Sequence, residues 1–307
     1  MEQTIKKGGA QMKKRFSLVM LIVSILTLAA CGNSSTSSGN AQKEEGKSDK
    51  ELTIGYLPWD EDIAVSYLWK NLLESKGYTV KLVQADVAPI FSGVANGSID
   101  LFLDTWMPVT HSTYMKKYKN DVSVLGTWYE QADSGLAVPD YTDIKSLEEL
   151  NKRKEEFSGN IIGIEPGAGL MRLTRENAIP TYGLDDWKLV ESSTPAMLAE
   201  LKKAVAAKKP IVVTLWRPHW AFEEYNLRYL EDPKNAMNPS GAEKLQSIGT
   251  KEFASDYPEV ANWIKSFKMD AKQIAQLESE ITKNKDEETG VEKWLSKNKS
   301  LKEEWLK

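Results

Sequence analysis

The sequence predicts an α/β protein of two lobes with a ligand cleft between them. Three observations carry that prediction. From Glu51 onward, short β-rich runs alternate with helical stretches, as in layered α/β folds. The alternation occurs twice, in two units of similar grain that are not a tandem repeat. Roughly 257 residues run from Glu51 to the end, enough for one large domain or two smaller ones.

The elements follow in chain order. Leu52 to Leu57 reads as the first strand. Ile63, Tyr67, Leu68, Leu72 and Leu73 recur at helical spacing up to a stop at Gly77. Thr79 to Ala85 is the second strand, a short helix spans Ile90 to Val94, and Ile99 to Leu103 is the third strand. Gly135 to Pro139 reads as a strand leaving this first unit, and Ser146 caps a helix that reaches Arg153. The second unit has strands at Ile161 to Ile164, Trp187 to Val190 and Ile211 to Leu215. Its helices lie near Met171 to Ile179 and Pro195 to Ala207.

Beyond about Ile248 the pattern is helical: Tyr257 to Phe267, Asp270 to Ile281, Glu287 to Ser296 and a turn near Trp305. Fewer than about 60 residues of charged amphipathic helix make a thin core alone, so this tail is expected to return and pack on the first unit. The expected division is therefore 51–137 with 249–307 as lobe I, and 138–248 as lobe II.

The N-terminus reads as an address. Lys13, Lys14 and Arg15 precede an apolar run from Phe16 to Ala30, about 15 residues, which is short for a membrane span and right for a secretory signal over 1–30. Leu28-Ala29-Ala30-Cys31 fits a bacterial lipobox, in which Cys31 carries lipid and becomes the new N-terminus. The following stretch, 31–50, is rich in Ser, Gly, Asn, Lys and Glu and reads as a flexible tether. The expected location is the extracellular face of the cell membrane, held there by lipid.

Composition narrows the chemistry. Cys31 is the only cysteine, which rules out an internal disulfide and a thiolate metal cluster. Removing 1–30 takes away five basic side chains and one acidic one, leaving 35 basic and 43 acidic groups and a formal charge of −8. An acidic chain with no long basic patch does not suit nucleic acid. There is no Gly-x-Ser-x-Gly elbow, no His-Glu-x-x-His and only two histidines, so no enzyme, metal or cofactor is expected. Gly46-Lys47-Ser48 is not a Walker A motif, because Ala41 occupies the place of its first glycine.

Four segments place an unusual residue at the end of an expected strand. Trp59 follows the first strand, Trp106 the third, and Trp216 the run Ile211 to Leu215. The fourth, Ile164-Glu165-Pro166-Gly167-Ala168-Gly169-Leu170, is a glycine-rich turn into a helix. In open α/β sheets, ligands bind beyond the carboxyl ends of the strands. Taken singly, each tryptophan reads as a packing residue; three in equivalent positions across two units point to a shared aromatic pocket.

Stacked indole faces suit a quaternary ammonium, which has no N–H to donate and spreads its charge over methyl groups. The glycine turn offers free N–H groups at a helix start, a site for an anion. His111, five residues after Trp106, is a candidate donor to the same anion, while His219 reads as packing or bonding locally after Pro218. Asp60, Glu61 and Asp104 flank the cage and either support it electrostatically or cap helices. The other tryptophans, Trp69 and Trp220 among them, read as packing residues.

Trp106-Met107-Pro108-Val109-Thr110-His111, Gly163 to Met171 and Thr214-Leu215-Trp216-Arg217-Pro218-His219-Trp220 resemble the signature segments of the glycine betaine/proline betaine substrate-binding proteins of ABC transporters. The resemblance covers nearly all of the chain from Glu51. It implies a two-lobed periplasmic-binding-protein fold, type II-like, that closes over its ligand. It further implies that Trp59, Trp106 and Trp216 wall a trimethylammonium head, and that His111 with the amides of Gly169 and Leu170 holds the carboxylate. The implied ligand is glycine betaine, taken up as an osmoprotectant, with carnitine, proline betaine or choline as alternatives. The implied partners are separate permease and ATPase subunits of an ABC importer.

Overall fold

The structure, a computed structural model, describes residues 50–307. The expected signal 1–30, Cys31 and nearly all of the tether lie outside the described residues.

Among the described residues nine strands build the scaffold: β1 (Glu51–Tyr56), β2 (Thr79–Gln84), β3 (Leu101–Met107), β4 (Val122–Pro139), β5 (Asn160–Ile162), β6 (Lys188–Val190), β7 (Val213–Arg217), β8 (Leu227–Tyr229) and β9 (Glu243–Thr250). In the first sheet β2, β1 and β3 run parallel in that spatial order, β9 adds antiparallel at the β3 edge, and the front of β4 pairs antiparallel with β9. In the second sheet β6, β5 and β7 repeat that order in parallel, with the end of β4 antiparallel beside β7. The two units of similar grain are thus two sheets of the same strand order.

The long strand β4 joins them. It pairs with β9 from Val122 to Ala132 and with β7 from Asp133 to Ala137, so the chain changes sheet between Ala132 and Asp133. Its register with β9 shifts three times on the way, the mark of a strongly twisted strand. The return strand, β9, lies between β3 and β4.

Helices cover the sheets. In Asp60–Glu74, three acids open the first turn and Ala64, Val65, Leu68, Trp69, Leu72 and Leu73 are buried on one side. The C-terminal helices pack against this helix and β4: Phe267 meets Trp69 edge-on at 5.3 Å between ring centroids and Trp128 at 5.9 Å, and Trp305 closes on Phe267 at 4.9 Å. Tyr257 Oη donates to the carbonyl of Glu51, 2.7 Å away, tying the tail to β1.

Several elements differ from the sequence reading. The third strand runs to Met107, so Trp106 lies inside it, and β7 likewise includes Trp216. The strand expected at Gly135–Pro139 is only the end of the 18-residue β4. The helix Ser112–Tyr118 and the strands β8 and β9 were not expected, and β9 crosses the boundary at Ile248 where helix was expected to begin. In β9, glutamate, lysine, glutamine and serine alternate with Leu245 and Ile248, and no local signal states which sheet will accept such a strand.

Candidate ligand-binding site

The carboxyl ends of β1, β3, β5 and β7 meet at one cavity. Each sheet has the order second-first-third, so its first and third strands diverge in connection and leave a crevice at their carboxyl ends. Trp59, Trp106, Thr110, Ser134, Ile164, Leu170 and Trp216 line one cavity. Four of the six residues expected to bind ligand therefore share one wall system: Trp59, Trp106, Trp216 and Leu170.

The three indoles are buried, each at most 4% exposed. Trp59 precedes the helix Asp60–Glu74 and lies 5.9 Å from Trp216 between ring centroids, with planes tilted by 50°. Every one of the three donates its indole N–H to a carboxylate: Trp59 to Glu165 Oε2 at 3.3 Å, Trp106 to Asp104 Oδ2 at 3.0 Å, and Trp216 to Glu61 Oε2 at 2.8 Å. The neighbouring Trp220 donates to Asp60 Oδ1 at 2.5 Å. Asp60 and Glu61 make no side-chain cap at the start of their helix, so of the two roles open to these acids, the observed one is support of the indoles.

His111 is fully buried behind this wall, its ring stacked on Trp59 at 5.7 Å with planes 13° apart. Its Nδ1 accepts the backbone N–H of Trp106 at 3.0 Å, which places the proton of the neutral ring on Nε2. Burial, and then the positive charge of Arg172, push its pKa down to about 3, so the ring is neutral throughout the physiological range. Nε2 has no partner among the described residues. A buried N–H without an acceptor is costly, and a ligand oxygen would relieve that cost.

Gly169 and Leu170 begin the helix Gly169–Leu173, where N–H groups have no intrahelical acceptor. Gly169 is a steric necessity: a Cβ there would lie 2.3 Å from the carbonyl oxygen of Thr110. The Thr110 loop comes from the end of β3, so this contact brings the two sheets' loops together. It is reinforced by Arg172, which donates to the carbonyl of Val109 at 3.0 Å.

Two contributors escaped the sequence reading. Glu243 at the start of β9 accepts the N–H groups of Val109 and Thr110, at 2.8 and 2.9 Å, and the Thr110 hydroxyl, and so shapes the loop between Trp106 and His111. Ser134 pairs with Trp216 across β4 and β7, lines the cavity, and has a buried hydroxyl without a partner. Both reach the site only through long-range strand pairing, which leaves no local signal.

The acids behind the cage share their protons unevenly. Burial, then the charges of Asp104 and Glu278, push Glu61 well above the usual carboxylate range. Burial pushes Asp104 up to about 7, offset in part by the N–H of Trp106. Glu61 Oε1 and Asp104 Oδ1 are buried without a donor among the described residues, so protonation of one carboxyl relieves the repulsion between the two.

The family model for the substrate binding domain of the ABC-type glycine betaine transport system matches residues 50–297. This chain belongs to that family. The lactococcal OpuAC crystal structure, in its closed-liganded conformation complexed with glycine betaine, aligns with 84% of this chain and 100% of its own at 33% identity and a TM-score of 0.79. The glycine betaine/L-proline-binding protein ProX from Borrelia burgdorferi aligns with 84% of this chain and 97% of its own at 30% identity and a TM-score of 0.79. The glycine betaine/carnitine transport binding protein GbuC of Listeria monocytogenes is 38% identical over 153 residues, which is 49% of this chain and 50% of that protein, so the match spans half of the curated relative. The fold is accordingly the two-lobed α/β periplasmic-binding-protein fold, type II-like. Among the described residues, no cluster of side chains suits a metal ion and no helix is long and apolar enough to cross a membrane.

Proposed function

We propose that this protein is the extracellular substrate-binding component of an ABC importer, and that it captures glycine betaine for osmoprotectant uptake. The observation that carries this reading is the cavity itself: three indoles wall it, and none of its lining side chains is charged. Such a wall attracts a methylated cation through ring faces, at about 0.5 to 2 kcal/mol per contact. Trp59, Trp106 and Trp216 hold the trimethylammonium group; His111 Nε2 and the amides of Gly169 and Leu170 hold the carboxylate.

The lobes, expected at 51–137 with 249–307 and 138–248, close over the ligand, because the cage and the carboxylate site both draw on each of them; by strand pairing the changes of lobe fall a few residues earlier, after Ala132 and before Glu243. Cys31 is the lipid attachment point, and permease and ATPase subunits are separate chains. The relative named for both glycine betaine and carnitine makes carnitine the alternative to test. Choline lacks the carboxylate that the His111 end would bind.

The test is calorimetry and tryptophan fluorescence on the full-length chain in detergent, titrated with glycine betaine, carnitine, choline and proline. The expected result is saturable glycine betaine binding that Trp106→Ala abolishes. Heat with proline but with none of the trimethylammonium compounds would overturn the ligand assignment. Replacing Cys31 by alanine is expected to release the chain from membranes.

A further inference from the structure

Buried tryptophans in the core and around the cavity differ in what their indole N–H meets. In the core, Trp128 donates to the carbonyl of Leu103, and the buried N–H groups of Trp69, Trp187 and Trp294 have no partner. Around the cavity each indole has a carboxylate instead. Packing alone therefore does not demand an acid at this position, since core indoles in the same protein do without one.

Two of the three pairings cross between the sheets, and they do so reciprocally. Trp59, at the end of β1 in the first sheet, donates to Glu165, which follows β5 in the second. Trp216, in β7 of the second sheet, donates to Glu61, on the helix that follows β1. Glu165 is itself held rigidly: Oε1 accepts the N–H of Thr194 at 2.8 Å and Oε2 the Thr194 hydroxyl at 2.9 Å. Glu61 is fully buried, and neither glutamate lines the cavity.

Building on the proposed ligand site, we infer that Glu61 and Glu165 are positioning residues forming a reciprocal clasp. Each holds the cage tryptophan of the opposite sheet by its indole N–H, so that the cage takes its binding geometry only when the cleft is shut. The physical reasons are two. A hydrogen bond to a buried, immobilised carboxyl oxygen fixes the plane of the indole that must face the ligand cation. Acceptance of the N–H by the carboxyl also polarises the indole toward greater electron density at its face, which strengthens its attraction for that cation. Opening the cleft breaks both bonds together, so ligand release and loss of the clasp are one event.

The experiment compares the full-length wild type with Glu165→Ala, Glu165→Gln and Glu61→Gln. Glycine betaine affinity is measured by calorimetry, release by stopped-flow tryptophan fluorescence, and ligand-free melting by circular dichroism. Glu165→Ala is expected to weaken binding about tenfold, mainly through faster release; it also removes both Thr194 bonds, which the open form keeps, so some ligand-free stability to melting is lost and Glu165→Gln is the control for that part. Glu165→Gln, whose amide oxygen still accepts the indole N–H, is expected to recover most of that loss. Glu61→Gln, which keeps an acceptor in the more buried half of the clasp, is expected to behave like Glu165→Gln.

Glu165→Ala binding within twofold of wild type at an unchanged release rate would overturn the clasp while leaving the ligand assignment in place. A loss of affinity that follows a loss of ligand-free stability, with no rescue by glutamine, would likewise overturn it. A wild type that gives no heat with glycine betaine overturns the ligand assignment, and the clasp as a device for that ligand falls with it.

Discussion

The two histidine segments on either side of the cleft are built alike and end differently. In Trp106-Met107-Pro108-Val109-Thr110-His111 and in Trp216-Arg217-Pro218-His219, a cavity tryptophan is followed by a cis proline and then by a buried histidine. In both, Nδ1 accepts a nearby backbone N–H, from Trp106 at 3.0 Å and from Ala221 at 3.1 Å. That local bond leaves Nε2 as the free end of each ring. Neither Nε2 makes a well-aligned hydrogen bond among the described residues, but His111 Nε2 faces no acid, whereas His219 Nε2 lies 3.2 Å from Asp60 Oδ2 on the opposite side of the cleft. Burial raises Asp60, but His219 and the N–H of Trp220 more than offset it and hold the carboxyl below its usual value. The same local construction thus leaves an unpaired N–H on one side, the donor proposed for the ligand, and a contact across the cleft on the other, and the difference is whether an acid faces the ring.

The strongest way to break this arrangement is to stop the two sides from meeting. Gly169→Ala places a methyl group against the Thr110 carbonyl, so glycine betaine binding is expected to weaken on the order of 100-fold in calorimetry. Ligand-free melting should stay near wild type, because the clash exists only in the closed form.

His111→Ala tests the free donor. It is expected to weaken glycine betaine about tenfold more than choline, because loss of the ring behind Trp59 affects both ligands and loss of the donor only one, so the ratio between the two is the decisive measurement. Because the His111 pKa is held down at about 3, its part in betaine affinity should be flat from pH 5 to pH 8. A rise or fall across that range that is absent in His111→Ala would contradict a neutral donor.

Asp104→Asn sharpens the contrast through proton linkage. Asp104 titrates near 7 when folded and near 3.8 as an ordinary aspartate, so the folded form binds the extra proton between those values. Its contribution is fully present below about pH 4 and is lost as pH rises through 7. Glu61, Asp62 and Glu278 face the same buried space and are also raised, so the wild type should lose stability as pH climbs toward neutrality. The asparagine variant should show a shallower loss in urea unfolding between pH 5 and pH 7, by at most one proton, about 1.4 kcal/mol per pH unit. The smallest effect is expected from His219→Gln: release about threefold faster, with the betaine-to-choline ratio unchanged.

Much of the site is legible in the chain because its walls are marked locally. A large aromatic residue at the end of a β-rich run, beside proline and acids, is an anomaly that needs no partner to be noticed, and Trp59, Trp106 and Trp216 each show it. The glycine turn before Leu170 is visible for the same reason. Asp60, Glu61 and Asp104 were visible as neighbours of the cage, but whether they cap helices or hold indoles was not. Trp220 read as packing, yet it donates to Asp60 across the cleft. Ser134 and Glu243 carried no signal at all, since each owes its place to the pairing of β4 or β9.

The sequence by itself determined the α/β grain, the two similar units, the aromatic positions and the turn, all of which arise from periodicity and residue type within a dozen positions. Only the tertiary structure decided that β4 would serve both sheets, that β9 would return between β3 and β4, and which acid each indole would meet. Those choices join residues 106 and 155 positions apart, at Trp59 with Glu165 and at Trp216 with Glu61. Hydrophobic periodicity is a property of neighbours along the chain, whereas these bonds exist because burial leaves each indole N–H and each carboxylate no water to turn to, and the closed cleft offers them one another.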